Sequence, residues 1–251
     1  MKAVIFGSLN AICDLSEIER QAFNQAFSQS GLPWHWDART YRDMSLRLTE
    51  VYEPSSPDHA TARDVNLDEL LDLKDEILFN LIEDHSFVED PLIVGLFDYL
   101  RRKRMSRGLI SQQSRLIVNS VRAALPGILA SDFSSVTCRG DEGRPETRQC
   151  VYADLASTMR VELDRCIAIE TTRRGIETAR AAGVGHVVAY RVPITKQQKA
   201  SGVVAAADDL LATLKSLHWT RTASQVLAHR ATTQTVRILS ATAPERRIRT
   251  A

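Results

Sequence analysis

From Pro91 onward the chain alternates short apolar runs with amphipathic stretches, and no other feature of the sequence constrains its fold as tightly. The spacing predicts helices over 93–103, 116–124, 151–159 and 174–182, separated by strands over 108–111, 134–137 and 166–169. Further strands are expected over 187–190 and 203–205, with a closing helix over 208–217. Parallel neighbours need right-handed crossovers, so this alternation specifies an α/β fold: a doubly wound parallel sheet with helices on both faces. A first strand belongs with it, the β-forming run KAVIF over 2–6, followed by a turn and a helix whose apolar positions include Ile18, Ala22, Phe23, Ala26 and Phe27.

Between these two parts the pattern is helical. Stretches 41–51 and 67–82 show three-to-four-residue apolar spacing, with Pro54 and Pro57 breaking the chain between them. The expected organisation is an α/β core from 1–14 and 88–218, a small inserted helical cap from 15–87, and a basic C-terminal extension from 219–251. In that extension Arg221, Arg230, Arg237, Arg246, Arg247 and Arg249 face only Glu245, the composition of a solvated tail.

With 251 residues, 44% of them hydrophobic, the chain can bury one sizeable core or a core carrying a small insertion. Thirty-two basic and 31 acidic side chains leave no global field to draw in nucleic acid or an anionic membrane surface, so neither is an expected partner. No apolar run approaches the roughly 20 residues of a membrane helix. Cys13, Cys138, Cys150 and Cys166 are dispersed without a Cys-x-x-Cys pair, and Met1-Lys2 leads straight into a strand, which together point to a reduced, cytoplasmic protein. Neither the cysteines nor the six histidines have metal-ligand spacing, and His35, between Trp34 and Trp36, reads as packing or surface.

Four separated segments resemble, in order and spacing, the haloacid dehalogenase (HAD) superfamily, in its helical-cap branch of sugar-phosphate phosphatases and β-phosphoglucomutases. They are the opening Phe6-Gly7-Ser8-Leu9-Asn10, the strand ending at Ser111, Gly143-Arg144-Pro145, and Cys166 to Glu170 followed by Thr171-Thr172-Arg173-Arg174-Gly175-Ile176. The start of the cap is similar too, through Arg20-Gln21-Ala22-Phe23-Asn24 and Gly31-Leu32-Pro33-Trp34-His35-Trp36. The resemblance implies a Rossmann-like core and a phosphate site. Ser111 falls where the family hydrogen-bonds the transferred phosphoryl group, Arg144 where a lysine supplies the cation, and Glu170 at an acidic, magnesium-holding strand end.

The same resemblance exposes what is missing. The family's first strand ends in two aspartates, a nucleophile that also holds magnesium and an acid–base residue two positions later; Gly7 and Leu9 stand there. Glycine has no nucleophile and leucine no titratable proton. No catalytic residue is therefore expected, and Glu170 is a vestigial metal ligand, because Thr171 occupies the second acidic position and magnesium needs several hard oxygens. Ser8, by strand alternation, should point away from the site.

What survives is the anion-binding half: Ser111 with its neighbours Gln112 and Gln113, Arg144, and the amides that follow Asn10, whose residue type suits a left-handed turn. The local alternatives are that Ser111 is a turn partner, that Arg144 is a surface cation, and that Glu170 pairs with it. The expected function is a phosphatase homologue without activity, a pseudoenzyme that binds a small phosphorylated metabolite or anion, or a protein partner, in a regulatory role and without a cofactor. One alternative is an active phosphatase of altered mechanism, with magnesium, that drafts in Asp14 or Glu170. Another is a structural subunit paired with an active relative.

Overall fold

The computed structural model describes residues 1–41, 66–128, 130–141, 148–192, 204–207 and 209–217. Its centre is a six-stranded sheet in the order β3-β2-β1-β4-β5-β6, formed by Ala3–Phe6 (β1), Ser106–Ser114 (β2), Ser135–Arg139 (β3), Cys166–Glu170 (β4), His186–Tyr190 (β5) and Val204–Ala207 (β6). Every pairing is parallel, with Ala3 beside both Ser106 and Cys166. The expected α/β class and doubly wound sheet are what the chain adopts.

β1 lies in the middle of the sheet, and all four of its residues are buried, which is why its sequence is an unbroken apolar run rather than an alternation. One face of the sheet packs on Arg148–Thr158 (α5) and Arg173–Ala181 (α6): Ala3, Ile5, Cys166 and Ala168 meet Val151, Leu155, Ile176 and Ala179 in a single buried cluster. On the opposite face Phe6 stacks on Phe97 of Pro91–Arg102 (α3) with ring centroids 5.2 Å apart, and Phe133 meets both edge-on. Each such side chain contributes about 1.5–3 kcal/mol on burial.

Two helices precede this alternation, Ser16–Gln29 (α1) and Leu67–Glu83 (α2), and they pack against each other. The motifs at the start of the helical insert serve local structure. Arg20 Nη1 and Asn24 Nδ2 donate to the Trp36 carbonyl at 2.9 and 2.8 Å, while the Trp36 amide donates to Asn24 Oδ1 at 2.7 Å. That clasp holds Trp36 against Phe23 and Phe27. Asn66 caps α2, and Asp90 caps α3 ahead of Pro91.

Two expectations need correction. The strand expected to end at Ser111 runs on to Ser114 through a register shift after Ile110. Ser111 Oγ accepts a hydrogen bond from the Gln113 amide at 3.0 Å, and this local bond takes the place of regular pairing. Asn10 does not adopt a left-handed turn: it lies in a short 3₁₀ turn, Leu9–Ala11, and the only non-glycine residues with positive φ among the described residues are Arg104, Arg160 and Arg191. Arg115–Ala123 (α4) completes the helices of this part.

Residues 1–211 cluster as one compact unit, α1 and α2 included, and 212–251 as a second, of which 212–217 are helical. Among the described residues no helix is long and apolar enough to cross a membrane. The helical expectation over 42–51, Arg144, and the extension 219–251 lie outside the described residues.

Candidate functional site

The ends of the parallel strands carry three distinct environments. At the first, the Gly7 amide donates to the Ile169 carbonyl at 2.9 Å and ties the end of β1 to β4. The chain then enters the 3₁₀ turn, where Leu9 is 3% exposed and Asn10 Oδ1 accepts from the Leu15 amide at 3.1 Å. Leu9 thus buries apolar surface in the turn that follows β1. The Ser8 hydroxyl, beyond the end of β1 at Phe6, is 2.8 Å from that of Thr171 and joins the two strand ends.

Glu170, the last residue of β4, is 3% exposed. Its Oε1 accepts a hydrogen bond from the Tyr152 hydroxyl of α5, and the carboxylate lies against two glycines. A Cβ built on Gly7 would fall 1.7 Å from Oε1, and one built on Gly175 would fall 1.8 Å from Oε2.

The second environment, at the ends of β2 and β3, is a buried polar chain. Tyr41 donates to Glu19 Oε2 at 2.8 Å, Gln113 Nε2 donates to Glu19 Oε1 at 2.6 Å, and Lys74 Nζ donates to Gln113 Oε1 at 2.7 Å. Lys74 also pairs with Asp75, whose Oδ2 accepts from Arg139 at 2.5 Å and from the Ser114 amide at 3.3 Å. Burial would raise the Asp75 carboxyl, but Lys74, the Ser114 bond and Arg139 outweigh it and hold it below the usual carboxylate range. Burial, reinforced by Glu19, keeps the Tyr41 phenol neutral far above its ordinary range.

Third is an open cleft of about 670 Å³ whose lining includes Asn10, Asp14, Arg20, Thr171, Arg173 and Arg191. Arg173 opens α6, whose cap Thr172 accepts from the Gly175 amide at 3.0 Å. Arg191 adopts φ 56°, lies over the Tyr190 ring at 4.7 Å and reaches Asp90 at 3.1 Å. Arg20 is paired with Glu17 at 2.6 Å. Asp14 accepts from the Ser16 amide at 2.9 Å, the helix-start role that its position suggests. A smaller cavity of about 370 Å³ is also lined by Asn10 and Asp14; there burial, then Asp14, pushes the Cys13 thiol up to about 11.

Of the sequence-derived candidates, Asn10 opens onto the cleft, whereas Ser111 is 1% exposed and lies outside its lining. Gln112 is half-buried and Arg144 is outside the described residues. Magnesium does not fit what is present. Glu170 is enclosed by glycines and Tyr152, Thr171 is hydrogen-bonded to Ser8, and among the described residues no group of three or more His, Cys, Asp or Glu could hold a metal ion.

Sequence reasoning missed Glu19, Lys74, Asp75, Arg139 and Tyr152, and placed Gln113 with an anion site rather than in this buried chain. Two of them carried a signal: Glu19 stands three and four residues before the buried Ala22 and Phe23, and Lys74 three and four residues after Leu71 and Leu70, so both charges fall on apolar helix faces.

No protein-family model matches the chain. Protein CbbY of Rhodobacter capsulatus is 26% identical over 189 residues, covering 73% of this chain and 83% of that protein. A crystal structure of a CbbY variant from Rhodobacter sphaeroides in complex with xylulose-(1,5)bisphosphate aligns with TM-score 0.66 at 20% identity over 84% of this chain and 96% of that one. A HAD-superfamily hydrolase of subfamily IA from Geobacter sulfurreducens aligns with TM-score 0.60 at 16% identity, covering 86% and 98%. The likeness to these solved structures is one of fold, and it extends over more than four-fifths of this chain.

Proposed function

We propose that this chain, a hydrolase homologue of the haloacid dehalogenase type, does not transfer phosphoryl groups and instead binds a small phosphorylated metabolite in the cleft at its strand ends. The observation that carries the reading is the coexistence of that open, arginine-bearing cleft with a β1 turn that offers it neither nucleophile nor proton donor: Gly7 has no side chain and Leu9 is buried. Acid–base catalysis alone supplies about 10²- to 10⁴-fold, and covalent catalysis is lost with it. Arg173 and Arg191 are the donors to the anion, because guanidinium groups bind phosphate oxygens in parallel pairs without a metal. Asn10 borders the same cleft. A bound phosphate ester in the CbbY structure supports this ligand class, and such occupancy without turnover suits a regulatory role.

The test has two arms. Incubated with magnesium and a panel of sugar phosphates, the protein releases no phosphate above background; turnover abolished by Asp14→Asn or Glu170→Gln would establish the altered-mechanism phosphatase instead. In calorimetry with sugar phosphates and no metal, Arg173→Ala weakens binding by roughly tenfold to a hundredfold, the loss of a charge-assisted hydrogen-bonded pair. Affinity unchanged in Arg173→Ala and in Arg191→Ala would remove the cleft from the proposal.

A further inference from the structure

The pairing of β1 with β4 puts Ala3 beside Cys166 and Ile5 beside Ala168, all on the face that packs on α5 and α6. One step further along that face come Gly7 and Glu170. β1 contributes no side chain there, and β4 contributes a carboxylate that turns into the space thus left.

We infer that Glu170 has taken over the volume of the side chain missing at Gly7, so that this acid is a structural strut wedged between Gly7 at the end of β1 and Gly175 in the first turn of α6 rather than a ligand for magnesium. The distances make the arrangement mutually exclusive. Any side chain at position 7 would begin 1.7 Å from Oε1, 2.3 Å from Cδ and 2.6 Å from Oε2. A carboxylate at the tip of a flexible side chain usually swings away from such a clash, but Gly175 closes the other side, where a Cβ would stand 1.8 Å from Oε2, and Tyr152 holds Oε1. Glycine at 7, glycine at 175 and tyrosine at 152 are thus one device built around one carboxylate. An acid returned to position 7 would meet an occupied site, whatever binds in the outer cleft, so the inference is independent of the ligand proposal.

The experiment is a thermal denaturation cycle on the full chain: wild type, Gly7→Ala, Glu170→Ala and the double variant. Gly7→Ala is expected to lower Tm by about 5 °C or more, as overpacking of a closed site does in a protein of this size, and to have little effect once Glu170→Ala has emptied the space. Should Gly7→Ala not fold, recovery of a folded protein in the double variant gives the same answer. A second cycle covers the case in which neither folds: Tyr152→Phe lowers Tm in the wild-type background and not in Glu170→Ala. Equal costs in both backgrounds would overturn the inference. So would a rise in wild-type Tm with millimolar magnesium chloride that disappears in Glu170→Ala, because it would return Glu170 to the metal.

Discussion

The ends of β1 and β4 and the ends of β2 and β3 lie side by side in one sheet yet keep their polar groups from solvent in opposite ways. At β1 and β4 the groups are few: Gly7 has no side chain, Leu9 is apolar and buried, and the Glu170 carboxylate is enclosed. At β2 and β3 they are many, with Glu19, Lys74, Asp75, Gln113 and Arg139 in one place, but they answer one another. Strand ends can thus keep polar groups from solvent by having few of them or by pairing them with one another, and only the first is visible in residue identity alone.

The sharpest way to break the contrast is Lys74→Met. It leaves the Asp75 and Glu19 carboxylates buried without their ammonium, and the cost expected in urea unfolding is about 3–5 kcal/mol. A cost near zero would mean that the network at β2 and β3 is no more binding than the sparse site beside it.

A milder perturbation is pH. Because the Asp75 carboxyl is held below its ordinary range, its contribution is complete above the unfolded-state value of about 4 and is lost as pH falls through the lowered folded value. Unfolding free energy should therefore decline more steeply on the acid side in the wild type than in Asp75→Asn, and parallel curves would remove Asp75 as a source of acid sensitivity. The smallest effect belongs to the sparse site: Thr171→Val removes the bond to Ser8 at a half-buried position and should cost about 0.5–1.5 kcal/mol. A loss as large as that of Lys74→Met would erase the contrast.

The sheet and its helices were legible in the sequence because burial imposes periodicity: every described strand and helix of the core falls within a few residues of its apolar pattern. That Gly7 has no side chain and Leu9 no titratable proton was legible for a different reason, since it needs only residue identity. The polar network was not, because it depends on which side chains meet across 94 residues of chain, as Gln113 and Glu19 do, and periodicity does not encode partners. Its one trace was local, a charge on an apolar helix face. The extension of β2 past Ser111 escaped notice because SQQS carries no strand pattern; a side-chain-to-backbone bond and a register shift sustain it. The fate of Glu170 was half legible: its isolation from other acids could be read, whereas the glycine cradle required two distant glycines to be brought together.

The central place of β1 bears on how the protein comes into being during synthesis. Ala3–Phe6 is made before both strands that flank it, one of which begins at Ser106 and the other at Cys166. Until the ribosome has delivered both, this apolar strand has unpaired backbone on at least one edge, and such an edge invites pairing with other chains. The nascent protein therefore carries its most buried strand incomplete until β4 has been made, and the arrival of β4 is the event that seals it.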